Sequence, residues 1–162
     1  HVGVASFDWN GTEKKGDVPT DKRKEDAFLT SDTCVIADRF FFVRGCLEIP
    51  IIGMQNNFTW GIWVSLKEES FFLFQDYYEK KRRSHIGPFF GWLCTRIPGY
   101  RETLHLKTTV HLRNRGIRPY VELEPTDHAL AVEQRTGITL DRVREIVQLI
   151  EHPPGPQTDH KT

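Results

Sequence analysis

The densest group of ionisable residues lies where a predicted strand passes into a predicted helix. Glu122 and Glu124 share one face of the strand, and Asp127 and His128 open the helix. Carboxylates beside an imidazole can carry out acid–base catalysis or bind a metal ion. The same residues also suit a structural role, with Asp127 at the helix start and His128 as its surface neighbour. We expect the structural role, but a site should be sought here first.

Three other ionisable residues are candidates for the same chemistry. His105 and His111 share the polar face of one predicted strand. At the rise of an extended strand they are about 20 Å apart, so they cannot both bind one metal ion. Glu48 lies in an apolar strand, where an unpaired carboxylate is costly, so we expect it to face solvent or to pair with a cation such as Arg44 or Arg96. In a cleft its pKa would instead be raised, and it would become a general-base candidate.

Aromatic residues supply a candidate binding surface. Trp63 and Trp92 occupy strand segments flanked by Gly61 and Gly91, and Tyr100 follows the second segment. Exposed together, Trp63, Trp92 and Tyr100 would form a recognition surface, because Trp and Tyr dominate binding hot spots. Buried, the same rings would simply belong to the core.

The charge balance argues against a nucleic-acid partner. Lysine and arginine together number 22, as do aspartate and glutamate, whereas proteins that bind phosphate backbones normally carry a basic excess. The one dense basic run is Lys80 to Arg83. We interpret it as the charge-complemented end of a helix, with a phosphate-binding patch as the alternative.

The cysteines and the apolar runs limit the compartment. Cys34, Cys46 and Cys94 are isolated and odd in number, and the chain has no Cys-x-x-Cys pair. We expect reduced thiols in a cytoplasmic protein, although a Cys34–Cys46 pair across neighbouring strands is conceivable. No run approaches the roughly 20 apolar residues of a membrane-spanning helix, so no membrane partner is expected.

The periodicity predicts an α+β fold with a mostly antiparallel sheet of about six strands, one inserted helix and two C-terminal helices. Residues 1–152 should form one domain, and residues 153–162 a flexible tail. The inserted helix is predicted over residues 68–83. The last helix should turn Leu140, Val143, Ile146, Val147 and Ile150 towards the core. The predicted strands are 33–37, 40–52, 58–66, 89–97, 104–113 and 117–123.

Several segments, in order along the chain, resemble a bacterial family of uncharacterised proteins, domain of unknown function 2199. The resemblance covers most of the chain from Cys34 onward. It implies no activity, because none is established for the family. The matching segments are FFVRGCLEIPIIG (41–53), FTWGIWVSL (58–66), FFGWLCTRIPGY (89–100), LHLKTTVHLR (104–113) and ELEPTDHALAVEQRTGITLDRVREI (122–146).

One element of the resembling family is incomplete here. Its members often carry a Cys-x-x-Cys-Gly element just upstream of a His, suggestive of a zinc knuckle. The start of this chain, His1-Val2-Gly3, resembles only the trailing edge of that element. We therefore expect no metal and no cofactor, and zinc only if a longer protein supplies the cysteine pair.

The expected function is a non-catalytic module that binds another protein, of the adaptor or immunity type, in the bacterial cytoplasm. The chain lacks a nucleophile elbow, a phosphate-binding loop, a dinucleotide fingerprint and a zinc-protease helix. The alternative is a small hydrolase or metal-assisted enzyme built on the Glu, Asp and His residues above. Whether the protein is an enzyme therefore stays open at this point, as do its partner and its oligomeric state.

Overall fold

The computed structural model describes residues 27–153 and shows an α+β fold with seven strands and three helices. The strands are β1 (Ala27–Leu29), β2 (Thr33–Ile36), β3 (Phe40–Pro50), β4 (Asn57–Leu66), β5 (Phe89–Leu93), β6 (Lys107–His111) and β7 (Tyr120–Leu123). The helices are α1 (Glu68–Tyr77), α2 (Ala129–Thr136) and α3 (Leu140–Glu151). His1 and residues 154–162 of the predicted tail lie outside this range.

The six predicted strands correspond to β2 through β7, and the three-residue β1 is additional. Alternation along the strands sets their inner and outer faces, as predicted. In β4, Trp60, Ile62, Val64 and Leu66 are all buried in the main core. In β6, Thr108 and Val110 point inward, while Lys107 is exposed. The period of two therefore identified the core face of these strands correctly.

The sheet contains parallel as well as antiparallel pairing and closes into a barrel, and neither feature was part of the predicted, mostly antiparallel sheet. Strands that follow one another in the chain pair antiparallel from β1 to β7. The second half of β3 also pairs in parallel with β7, through Cys46 and Tyr120. The Cys46 amide donates to the Pro119 carbonyl at 2.8 Å. Strands β3 to β7 thus form a five-stranded barrel with mixed pairing, because β3 has a partner on both edges.

A side chain from α2 completes the short contact between β3 and β7, which we call the seam. Gln134 is 8% exposed. Its carbonyl oxygen accepts from the Leu123 amide at 2.8 Å, and its amide nitrogen donates to the Val121 carbonyl at 2.9 Å. The same nitrogen lies 3.4 Å from the Glu48 carbonyl on β3. Gln134 therefore satisfies backbone groups that a longer β3–β7 ladder would otherwise pair.

The core has two parts. The larger fills the barrel and includes Phe71 and Phe74 of α1, which are fully buried. Phe71 packs against Phe41 of β3 with ring centroids 5.0 Å apart, and Phe74 against Phe89 of β5 at 6.3 Å. The smaller part lies on the other face of the sheet and consists of Cys34, Phe42, Trp63 and Cys94.

Two helix predictions need correction. Helix α1 ends at Tyr77, so the run Lys80 to Arg83 follows the helix instead of ending it. In α3 only Ile146 is buried, and Leu140, Val147 and Ile150 are substantially exposed. Helix α3 therefore contacts the core along a narrow strip, and the rest of its apolar stripe stays exposed to solvent.

Candidate functional site

The predicted strand-to-helix junction does not assemble into a site, because His128 has a structural role there. His128 is 5% exposed, which overturns its expected surface position. Its Nδ1 accepts a hydrogen bond from the Leu130 amide at 3.1 Å and caps α2. Its Nε2 therefore carries the hydrogen and donates to the Glu102 carbonyl, also at 3.1 Å. Both ring nitrogens are thus occupied, which removes His128 as a base or ligand.

The three carboxylates of the junction point to different surroundings. Asp127 has a side chain that is 99% exposed and approaches Arg101 only at 3.9 Å. Glu124 is exposed, and Glu122 contacts His111 at 3.0 Å on the neighbouring strand. Within residues 27–153, no group of three or more His, Cys, Asp or Glu side chains could hold a metal ion.

Glu48 and His111 belong to a polar network on the outer face of the barrel. Glu48 is paired with Arg113 at 2.9 Å, a different cation from the two expected. His111 and Glu122 form their pair beside Tyr120, whose ring centroid lies 5.8 Å from that of His111. Burial first, and then the charges of Glu122 and Glu48, raise the pKa of Tyr120. The network ties β3, β6 and β7 together across the seam.

The three aromatic candidates lie in separate places. Trp63 is buried in the smaller core cluster. Tyr100 is half-buried, and its hydroxyl donates to a Glu133 carboxylate oxygen at 2.5 Å. Burial, together with that carboxylate, raises the pKa of Tyr100. Trp92 alone is open to solvent, at 41% exposure. Its neighbour on the surface is Phe90, 51% exposed, with ring centroids 5.1 Å apart.

A cavity of about 480 Å³ opens beside Trp92, and we call it the aromatic pocket. Its floor crosses three adjacent strands, because Phe42 of β3 pairs with Ser65 of β4, and Ser65 pairs with Trp92 of β5. Most of its wall is apolar or aromatic. The lining residues are Arg39, Phe40, Phe41, Phe42, Ser65, Leu66, Lys67, Trp92, Cys94 and His105.

The sequence of β5 explains why two aromatic rings stand at this surface. Phe89, Gly91 and Leu93 point inward, so Phe90 and Trp92 must point outward. A Cβ at Gly91 would lie 2.6 Å from the Ser65 carbonyl oxygen, so only glycine allows β5 to approach β4 this closely. The Phe-x-Trp spacing was the available signal, and the sequence interpretation singled out only the tryptophan.

Positive charge surrounds the aromatic pocket. Arg39 lies 5.4 Å over the Phe40 ring, and Lys107 lies 6.0 Å over the Trp92 ring. Lys67 is exposed at the end of β4, and His105 lines the opening with a backbone φ of +73°. In the part of the chain that the structure describes, none of the ion pairs involves Arg39, Lys67 or Lys107.

Cys94 lies at the back of the pocket and is 2% exposed. Burial raises its pKa to about 11, so the thiol is protonated at neutral pH. Its sulfur donates to the Trp92 carbonyl at 3.2 Å. All three cysteines are free, and Cys34 lies opposite Phe42, four residues along β3 from Cys46. The conceivable Cys34–Cys46 pair is therefore not formed.

Among the described helices, none is both long enough and apolar enough to span a bilayer.

Comparison with known proteins yields a family and no function. The family described as an uncharacterised protein conserved in bacteria (DUF2199) matches residues 1–138. No curated protein and no solved structure is found to match the chain.

Proposed function

The chain belongs to the uncharacterised bacterial family DUF2199, and we propose that it is a non-catalytic module that binds another protein through the aromatic pocket. The observation that carries the proposal is the aromatic pocket itself, with Trp92 exposed in its wall and the exposed Phe90 ring packed against Trp92. Large aromatic rings rarely remain together in water unless a partner covers them. The pocket volume suits one or two apolar side chains of such a partner.

The rim of the aromatic pocket defines the chemistry of the partner. Arg39, Lys67 and Lys107 bring positive charge to the opening without a carboxylate partner among the described residues. An acidic segment that carries an apolar anchor would complement both the floor and the rim. The proposed partner is therefore a protein that presents an aromatic or aliphatic side chain between aspartates and glutamates.

The proposed compartment is the bacterial cytoplasm. Cys46 is half-buried and unpaired, and the two other cysteines are free as well. Free thiols of this kind are usual in a reducing compartment and uncommon in secreted domains of this size.

The proposal can be tested with designed peptides. One peptide carries a central phenylalanine between aspartates and glutamates, a second replaces the phenylalanine by serine, and a third replaces the acidic flanks by lysine. We expect the first to bind and to shift the NMR signals of the Trp92 indole and of residues 39–42. Calorimetry should show the serine peptide binding at least about tenfold more weakly, since hot-spot anchors contribute about 2 kcal/mol or more. The lysine peptide should also bind at least about tenfold more weakly, because its charge has the same sign as the rim of the pocket.

Two variants decide whether the aromatic pocket is responsible. Trp92→Ala should weaken the first peptide about tenfold or more, whereas Ile150→Ala, which truncates an exposed apolar residue on α3, should leave its affinity unchanged. Equal binding of the three peptides, or no binding of any, would refute the proposal.

The alternative, a hydrolase or metal-assisted enzyme, is favoured by one observation only. His111 and Glu122 lie within hydrogen-bond distance, as a general base and its orienting carboxylate would. Both side chains face solvent, and neither lines the aromatic pocket. Ester hydrolysis that His111→Ala abolishes and Trp92→Ala retains would establish this alternative instead.

A further inference from the structure

A second cavity, of about 310 Å³, lies where the segment after α1 meets the turn between β6 and β7. The two segments are joined by hydrogen bonds: the Arg83 amide donates to the Asn114 side chain at 3.2 Å, and the Arg115 amide to the Lys81 carbonyl, also at 3.2 Å. We call this cavity the arginine cavity. Its lining residues are Asp32, Tyr78, Glu79, Arg83, Arg115, Gly116, Ile117 and Arg118.

Arg83 is the unusual residue of the arginine cavity, because it is a charged side chain that is only 2% exposed. Its guanidinium donates to three backbone carbonyls, those of Arg113 at 2.6 Å, Ile117 at 3.1 Å and Tyr78. These acceptors are neutral, and no carboxylate of the described residues forms an ion pair with Arg83. A buried charge is normally balanced by an opposite charge, and here the carbonyls only fix its position.

The lining residues leave the arginine cavity with a net positive charge, because its three arginines outnumber the two acidic residues, Asp32 and Glu79. Arg118 uses its Nε on the Asp32 carboxylate at 3.1 Å, and Arg115 donates to the Glu79 carbonyl at 3.1 Å. Tyr78 also hydrogen-bonds to Asp32, so that carboxylate is already engaged. Three guanidinium groups thus line the cavity, and only one of them has a carboxylate partner.

We propose that the arginine cavity binds a small oxyanion of the phosphate type. Guanidinium groups bind tetrahedral oxyanions through paired N–H donors, and Arg83 is already held in place by its carbonyl partners. An anion between Arg83 and Arg115 would supply the missing counter-charge. The ligand is inorganic phosphate or the phosphoryl group of a small molecule, since a cavity of this volume has room for a phosphate and for part of a molecule that carries it. This site is separate from the aromatic pocket and does not depend on the function proposed for it.

The test uses the complete chain and two ligands, inorganic phosphate and a phosphate monoester such as phosphoserine, at constant ionic strength set with chloride. Saturable shifts of the NMR signals of residues 115–118, with a rise in the thermal midpoint, are expected. Tighter binding of the monoester would identify a phosphorylated small molecule as the ligand, and equal binding would identify free phosphate. Either result supports an oxyanion site.

Three variants make the test specific. Arg115→Gln should weaken phosphate at least about tenfold, as expected for the loss of a charged hydrogen bond. Arg82→Gln removes the same charge from an exposed neighbour that does not line the cavity, and should change affinity less than about twofold. Asp32→Asn removes a competing carboxylate and should tighten binding, a gain that a misfolded variant could not produce.

Several outcomes would overturn the proposal. One is a lack of saturable phosphate binding in the unmodified protein. Another is an equal loss of affinity in the Arg82 and Arg115 variants, since it would indicate general surface attraction. A third is binding of a single-stranded oligonucleotide that phosphate does not displace, because it would assign the basic surface to a nucleic acid.

Discussion

At the scale of single residues, the role of an ionisable side chain depends on its hydrogen-bond and ion-pair partners, which residue type alone does not indicate. His128 was an acid–base candidate from its neighbours in the sequence, yet its two nitrogens bind backbone groups. Glu48 was expected to face solvent or to pair with a cation such as Arg44 or Arg96, and it pairs instead with Arg113, which is remote in sequence. Local patterns indicate which way a side chain points, but the residue it meets depends on strand order. Of the residues that line the aromatic pocket, only Trp92 and His105 were candidates from the sequence, and nothing local indicated that they would lie together.

Replacement of Gln134 should lower the stability of the fold, because its side chain satisfies two buried backbone groups of β7. Gln134→Leu keeps the volume and leaves the Leu123 amide and the Val121 carbonyl buried without partners. We expect a loss of about 2–4 kcal/mol in the free energy of unfolding, since each such group costs about 1–3 kcal/mol. Urea unfolding measures it, with Gln148→Leu on the exposed side of α3 as control. A loss no larger than in the control would show that the seam does not need Gln134.

Asp32 should make stability depend on pH. Burial raises its pKa, but hydrogen bonds from Tyr78 and the pairing with Arg118 outweigh it, so the folded pKa lies below the ordinary value of an aspartate. Stability from a lowered carboxyl pKa is present above the unfolded value and is lost as the pH falls through the folded value. Asp32→Asn should therefore destabilise the protein at pH 7, and the difference from the parent should shrink as the pH falls below the ordinary pKa of an unfolded aspartate, about 4. Urea midpoints at several pH values test this, and a difference independent of pH would contradict it.

At the scale of elements, the alternation of apolar and polar residues predicted the strands well. It did not predict where two strands approach each other closely, as β4 and β5 do at Gly91. The six predicted strands are present as β2 to β7, and all of them except β4 are shorter than predicted at one or both ends. His105 therefore lies before β6 and does not share a strand face with His111, as had been expected. The prediction for helix α3 was less accurate, because five apolar residues were expected to face the core and only Ile146 is buried. A stripe records which residues could be buried, and the area offered by the rest of the fold decides which of them are.

Gly91 and Gly61 should respond differently to the same substitution. A Cβ at Gly91 meets the Ser65 carbonyl at 2.6 Å and the Val64 side chain, whereas a Cβ at Gly61 meets only the flexible Arg44 side chain at 3.1 Å. Gly91→Ala should cost about 1–3 kcal/mol of stability through overpacking. Gly61→Ala should cost about 1 kcal/mol or less. Chemical denaturation compares the two, and a larger effect at Gly61 would contradict the described packing of β4 against β5.

At the scale of the whole molecule, closure of the barrel is the feature that sequence periodicity could not supply. The alternation in β3 marks its two faces, but nothing in it indicates that each edge has a partner. The parallel pairing of Cys46 with Tyr120 joins distant segments through one backbone contact and one glutamine. The aromatic pocket does not involve this closure, because its floor lies on three strands that follow one another in the chain.

The thiols report on the integrity of the whole fold. Burial raises the pKa of Cys34 to about 12 and that of Cys94 to about 11, whereas Cys46 is only half-buried. Under native conditions a disulfide reagent should therefore modify Cys46 first, and the other two only as fast as the molecule unfolds. Absorbance stopped-flow with and without urea measures this. In Cys46→Ser, rapid modification of either remaining thiol would contradict the packing of the smaller core cluster.

The seam between β3 and β7 has a consequence for synthesis on the ribosome. Translation releases β3 long before Tyr120 exists, and Gln134 follows later still, so the second half of β3 leaves with an open edge. Such an edge is a template for pairing with neighbouring nascent chains. Synonymous rare codons between residues 67 and 119 should therefore lower the soluble yield, and the same codons after residue 140 should not. Aggregation through this edge is therefore expected during synthesis on the polysome and not in the purified, folded protein.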